Sequence, residues 1–186
     1  FEPLPKLIDH LNNQYKNNKI FINGFALSDK IEEKIIFTNN IGNYGAMASF
    51  YKLKDISNFK KDYAKKNLNK LNSIENNKKF ESLMISTNTL DKYVESSSIS
   101  RIDLLKIDTQ GFEKEVLKGS INSLEKKIIK NIELELILND GYEKNFYFSD
   151  FDNVLSELGY KLFAISNHGN LIDNPGLNID LIYTCP

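Results

Sequence analysis

Apolar positions along the chain alternate between two spacings. Leu4, Leu7, Ile8 and Leu11 recur at three and four residues, with Pro5 where a first helical turn tolerates it. The opening "FEPLPKLI" therefore reads as a strand end at Glu2 followed by a helix. Ile20 to Leu27 is β-rich and runs into a Ser28-Asp29 turn, which predicts a second strand. "EEKIIFT" predicts a short strand, half of a hairpin with part of "AMASFYKL". From Lys54 to Lys79 lysine and asparagine dominate among scattered apolar residues, the pattern of a surface insertion with part helix.

Order resumes with "FESLMISTNTLDKYV", a strand to about Ser86 and then a short helix opened by Asn88 or Thr89. "IDLLKID" is almost continuously apolar, as expected of a strand covered on both faces. Phe112, Val116, Leu117, Ile121 and Leu124 then recur at helical intervals, so strand and helix meet between Asp108 and Gly111. Ile132 to Leu138 predicts another strand. Ser149 to Leu158 predicts a helix with a Ser149-x-x-Asp152 start and Gly159 as its stop. "YKLFAIS" and "IDLIYTC" supply two closing strands. This alternation argues for one domain over 1–186, an open α/β sheet with helices on both faces whose last two strands form a hairpin-like pair. In such sheets ligands bind beyond the carboxyl ends of the strands.

Composition narrows the chemistry. The 24 basic and 25 acidic side chains leave a net charge of -1, which gives no electrostatic reason to expect nucleic acid. The single cysteine, Cys185, can form no internal disulfide, and with only His10 and His168 beside it no zinc cluster is expected. A reducing, cytoplasmic setting fits, and no apolar run is long enough to span a membrane. Neither a glycine-rich phosphate loop nor a G-x-S-x-G elbow is present. The chain opens at Phe1 without an initiator methionine and reads as a piece of a longer protein.

Carboxylates at strand ends are the candidates for function. Asp108 follows Ile107 directly, in a loop where Gly111 permits unusual torsion angles. Two readings of it stay open: a group that binds a ligand or takes a proton, or a cap for amides near Gln110 and Gly111. Lys106 puts an ammonium in an apolar run and needs a partner, for which Glu133 and Glu135, sharing one face of the next strand, are placed. Glu113 lies in a first helical turn, where the dipole favours negative charge. Glu2 stands where some nucleotide-binding folds keep an acid for ribose hydroxyls.

"FEP", "ALSD", "TLDKYV", "DLLKIDTQGFEKEVLKG", "IELEL" and the closing "GYKLFAIS" and "IDLIYT" together resemble the FkbM family of S-adenosylmethionine-dependent methyltransferases, over essentially the whole chain. The resemblance implies a Rossmann-like class I sheet of seven strands with the last antiparallel, and S-adenosylmethionine as cofactor. The acceptor it implies is a hydroxyl of a sugar, glycan or secondary metabolite. By the same resemblance Glu2, Ser28, Asp29 and Asp108 match cofactor-binding positions, and Lys106, Gln110, Gly111 and Glu113 complete the motif around them; for an in-line attack of the acceptor oxygen on the methyl, Asp108 is the first candidate to accept the hydroxyl proton and Glu135 the second. No metal is implied. Family members often carry Glu where this chain has Gln110. The family's first strand and glycine-rich loop would lie before Phe1, which implies an incomplete sheet and weak cofactor binding by these residues alone. The rival expectations are a degenerate α/β binding module without catalysis and, less supported, an NAD-dependent oxidoreductase, for which no Tyr-Lys or His pair has suitable spacing.

Overall fold

The computed structural model describes residues 1–16, 19–38, 48–52, 81–138, 142–167 and 178–185. Its helices are α1 (Pro5–Gln14), α2 (Leu90–Ser96), α3 (Glu113–Lys118), α4 (Ile121–Glu125) and α5 (Ser149–Glu157). Its strands are β1 (Ala26–Leu27), β2 (Glu33–Thr38), β3 (Glu81–Asn88), β4 (Ile102–Ile107), β5 (Ile129–Ile137), β6 (Lys161–Asn167) and β7 (Asn178–Thr184). The expected insertion at 54–79 lies outside the described residues.

The strands form two sheets rather than one of seven. One has the order β1-β3-β2, with β3 parallel to β1 and antiparallel to β2; the other has the order β4-β5-β7-β6. In the second, β4 and β5 are parallel while β7 runs antiparallel to both neighbours, as the closing pair of apolar runs predicted. The class is therefore mixed α/β.

Several predicted elements are corrected. Phe1 to Leu4 is not a strand; Glu2 N–H instead donates to Asn23 carbonyl at 3.0 Å. Only Ala26–Leu27 of the expected Ile20–Leu27 strand pairs, and Phe21, 76% exposed, shows why: an apolar run without a covering layer gains little from extension. β2 pairs along its length with β3, and among the described residues of the "AMASFYKL" segment the strand pairing with β2 is the antiparallel Phe37–Ser49 bridge. The helix after Gly111 is broken into α3 and α4 at Gly119–Ser120. Ser149 makes no capping bond; Asp150 Oδ2 accepts Tyr147 N–H at 3.2 Å instead.

Helices are found on two sides of the strands: α1 packs against Ala26, while Leu27, on the opposite face of β1, joins the core of the remaining helices. Leu90 and Val94 of α2, Val116 and Leu117 of α3, Leu124 of α4, and Phe151 and Leu155 of α5 share one core with Leu105, Ile107, Ile132, Leu134, Leu181 and Tyr183. Each such side chain, buried, contributes about 1.5–3 kcal/mol. The opposite face of the sheet carries Leu104, Lys106, Glu133 and Glu135, and among the described residues no helix of the shared core lies on it, with Leu104 53% exposed. The physical reason is handedness. The crossovers β4→β5 and β5→β6 advance in one direction across the sheet, and right-handed connections then place all their helices on one side. Helix α1 covers the other sheet, where Leu4 and Leu7 pack with Ala26, Ile36 and Ile85.

Candidate functional site

A cleft of about 440 Å³ lies between the two sheets. Its apolar lining includes Leu4, Ala26, Leu27, Ile36, Leu105 and Ile107, and its polar lining is Glu2, Lys106, Asp108, Thr109 and Gln110. Glu2 and Asp108, more than a hundred residues apart in sequence, thus face one space. The volume falls within the range of small-molecule sites, and the mixture of an apolar bed with a few polar groups is what such sites show.

Why Asp108 is available follows from its neighbours. After β4 the chain turns at Gln110, whose φ of 55° is left-handed, and Gly111, whose φ is 98°. A left-handed residue other than glycine costs about 1–2 kcal/mol. A side chain at position 111 would be strained by that φ and would also displace the Phe146 ring, which lies against the glycine. The turn is held by Glu113, whose Oε1 accepts Thr109 N–H at 2.8 Å, Thr109 Oγ1 at 3.0 Å and Gly111 N–H at 3.1 Å. Glu113 is 1% exposed, and burial pushes its carboxyl up to about 7 although those three donors favour the charged form. The amides of Thr109 and Gly111 are thus taken by Glu113 and not by Asp108, which weighs against the capping reading of Asp108. Asp108 is exposed, and among the described residues its hydrogen bond is from Gln110 Nε2 at 3.1 Å.

Glu135 of β5 is brought beside it. Gln110 Nε2 also donates to Glu135 Oε2 at 3.1 Å, and Asn178 Nδ2 donates to Glu135 Oε1 at 2.8 Å. Tyr142 hydroxyl donates to Gln110 Oε1 at 3.1 Å; burial raises its phenol far above the ordinary range, and the charges of Glu113, Glu135 and Asp108 push the same way. Ser49 Oγ donates to the Gln110 carbonyl at 2.7 Å. Phe112, 4.3 Å from Phe50 between ring centroids, anchors the turn from below. Lys106 finds the expected cross-strand partner: its Nζ lies 2.5 Å from Glu133 Oε1, and that hydrogen bond raises the ammonium pKa. With half the lysine side chain in solvent, the pair contributes at most about 1 kcal/mol.

Glu2 sits at the other wall. Its Oε1 accepts Leu4 N–H at 2.8 Å, and burial raises its carboxyl above the usual range despite that bond. Ser28 and Asp29 are not among the residues lining the cleft. Ser28 is fully buried, its hydroxyl donating to Asp29 Oδ1 at 3.1 Å and its backbone N–H to Asn88 carbonyl at 2.8 Å. Sequence reasoning missed Ser49, Tyr142 and Asn178. Ser49 lies in a segment read only as part of a hairpin, Tyr142 lies outside the recognised runs, and Asn178 opens β7, at the strand end opposite to the one where ligand groups are expected.

The profile described as "Methyltransferase FkbM domain" matches residues 1–162. The chain belongs to the FkbM methyltransferase family. No match was found among curated proteins or solved structures. The matched span includes both walls of the cleft, from Glu2 to Gln110, and ends within β6. Among the described residues of this FkbM domain, no group of three or more His, Cys, Asp or Glu side chains is placed to hold a metal ion. No described helix is long and apolar enough to cross a membrane.

Proposed function

We propose that this FkbM domain is an S-adenosylmethionine-dependent methyltransferase, that the cofactor lies in the cleft between Glu2 and Asp108, and that the acceptor is a hydroxyl of a sugar, glycan or secondary metabolite. The observation that carries the reading is that one cleft is lined by two carboxylates, Glu2 before α1 and Asp108 after β4, together with an apolar bed. The cofactor fits these residues. Glu2 is a partly desolvated carboxylate with one N–H bonded to it, so it has acceptor capacity for a ribose diol, and burial strengthens such bonds.

When bound, the cofactor supplies an electrophilic methyl group. The work of the chain is then positioning. Glu2 accepts from the ribose hydroxyls, and the apolar bed formed by Leu4, Ala26 and Leu27 excludes water from one side of the ligand. Asp108, exposed at the mouth of the cleft, orients the acceptor hydroxyl and takes its proton through the carboxylate oxygen that Gln110 leaves free. Glu135 has both oxygens engaged by Gln110 and Asn178, which suits it to holding Asp108 rather than to taking the proton itself. Ser28 and Asp29 belong to this reading only as support for the end of β1, beneath the cofactor.

The test is a screen for transfer of labelled methyl from S-adenosylmethionine to sugar and glycan acceptors, with and without Asp108→Asn. Transfer that the substitution reduces by about 10²-fold or more supports the reading. Cofactor binding without transfer to any acceptor favours the non-catalytic binding module.

A further inference from the structure

Gln110 stands between two carboxylates. Its Nε2 donates to Asp108 Oδ1 and to Glu135 Oε2, each at 3.1 Å, so the two acidic oxygens are no further apart than those bonds laid end to end. The orientation of the amide is determined by its surroundings. Turned over, its oxygen would face two acceptors, and the Tyr142 hydroxyl, now bonded to Oε1 at 3.1 Å, would meet an N–H₂ group instead. The backbone is committed too, left-handed at φ 55° and with its carbonyl held by Ser49 Oγ at 2.7 Å.

Two carboxylates this close repel, and proteins commonly relieve that repulsion with a shared proton or a bound cation. A neutral carboxamide with two N–H groups offers a third solution, because each N–H satisfies one acid. We propose, resting on the methyltransferase reading of the cleft, that Gln110 is a positioning residue standing where a divalent cation would otherwise bridge Asp108 and Glu135. It ties the two acids together through one amide and aims the free oxygen of Asp108 into the cleft.

The bridge has a consequence that can be read without any cofactor. Gln110→Glu preserves side-chain length, removes both donors and leaves three carboxylates converging, a donor set that suits a hard divalent cation. Titration of the full chain with Mn²⁺ alone, followed by electron paramagnetic resonance, should show at least a tenfold gain in affinity for Gln110→Glu over the wild type. Adding Glu135→Gln in the same chain returns an amide to the cluster and should abolish the gain. No gain in Gln110→Glu, or a gain that survives Glu135→Gln, overturns the proposal.

Should Gln110→Glu fail to fold, Gln110→Met keeps the length and adds no charge. It should lower kcat for methyl transfer at least tenfold while S-adenosylhomocysteine affinity stays within threefold; an unchanged kcat overturns the bridge. The manganese measurement needs neither cofactor nor acceptor, so it stands even if the methyltransferase reading fails. Wild-type methyl transfer without a manganese gain in the variant sinks the bridge alone.

Discussion

Two acids in the loop after β4 divide its work. Glu113 Oε1 holds the turn through Thr109 and Gly111, and Asp108 is left with its carboxylate at the cleft. Asp108→Asn should therefore leave folding nearly intact and abolish methyl transfer, as thermal unfolding beside a methyl-transfer assay will show. Near-normal turnover removes Asp108 from the chemistry. Glu113 carries a different signature. Its carboxyl titrates at about 7 when folded against 4.5 as an ordinary glutamate. A raised folded pKa gives stability that is present below the unfolded value and lost as pH rises through the folded one. Between pH 5 and pH 8 the wild type should lose about 2 kcal/mol relative to Glu113→Gln. Thermal unfolding of both proteins at the two pH values checks this, and parallel behaviour contradicts it. Sequence placed Asp108 at a strand end but could not separate cap from ligand group, since Asp108 and Glu113 lie equally close along the chain to the amides in question. Only the left-handed turn at Gln110 decides which acid reaches them. Tyr142 and Asn178 were invisible for a plainer reason: their partners are 32 and 43 residues away.

Among the elements, those legible in sequence had a strong local period. The apolar runs at β4, β5, β6 and β7 and the helix opened by Thr89, whose hydroxyl accepts Lys92 N–H at 3.1 Å, are all found. What sequence could not supply was partner choice: β2 and the "AMASFYKL" segment alternate in compatible ways, yet β3 takes the pairing from far along the chain. The break between α3 and α4 is likewise a tertiary matter. Gly119 lies against the end of β1, and a Cβ there would meet the Ser28 carbonyl oxygen at 2.0 Å. Because that neighbour is backbone, Gly119→Ala must push the corner away from the β1–β3 sheet, at a cost of about 1–3 kcal/mol. Its Tm should fall by about 5 °C; an unchanged Tm in differential scanning calorimetry would show that the corner yields freely.

At the scale of the whole molecule, the proposed function rests on two sheets meeting across a cleft. The opening apolar run supplies one wall through Glu2 and Leu4, and β4 with its following loop supplies the other. The mixed α/β class was legible from the alternation of strand and helix periods. The division into two sheets and the exposure of Leu104 were not, because an apolar run records what a strand can bury and not what covers it. The most direct test of the cleft as the cofactor site is calorimetric titration of S-adenosylhomocysteine into the wild type and into Glu2→Ala. Saturable one-to-one binding is expected, weakened by Glu2→Ala about tenfold or more, the loss of at least one charge-assisted hydrogen bond. No binding to the wild type, or binding that Glu2→Ala leaves unchanged, would contradict it.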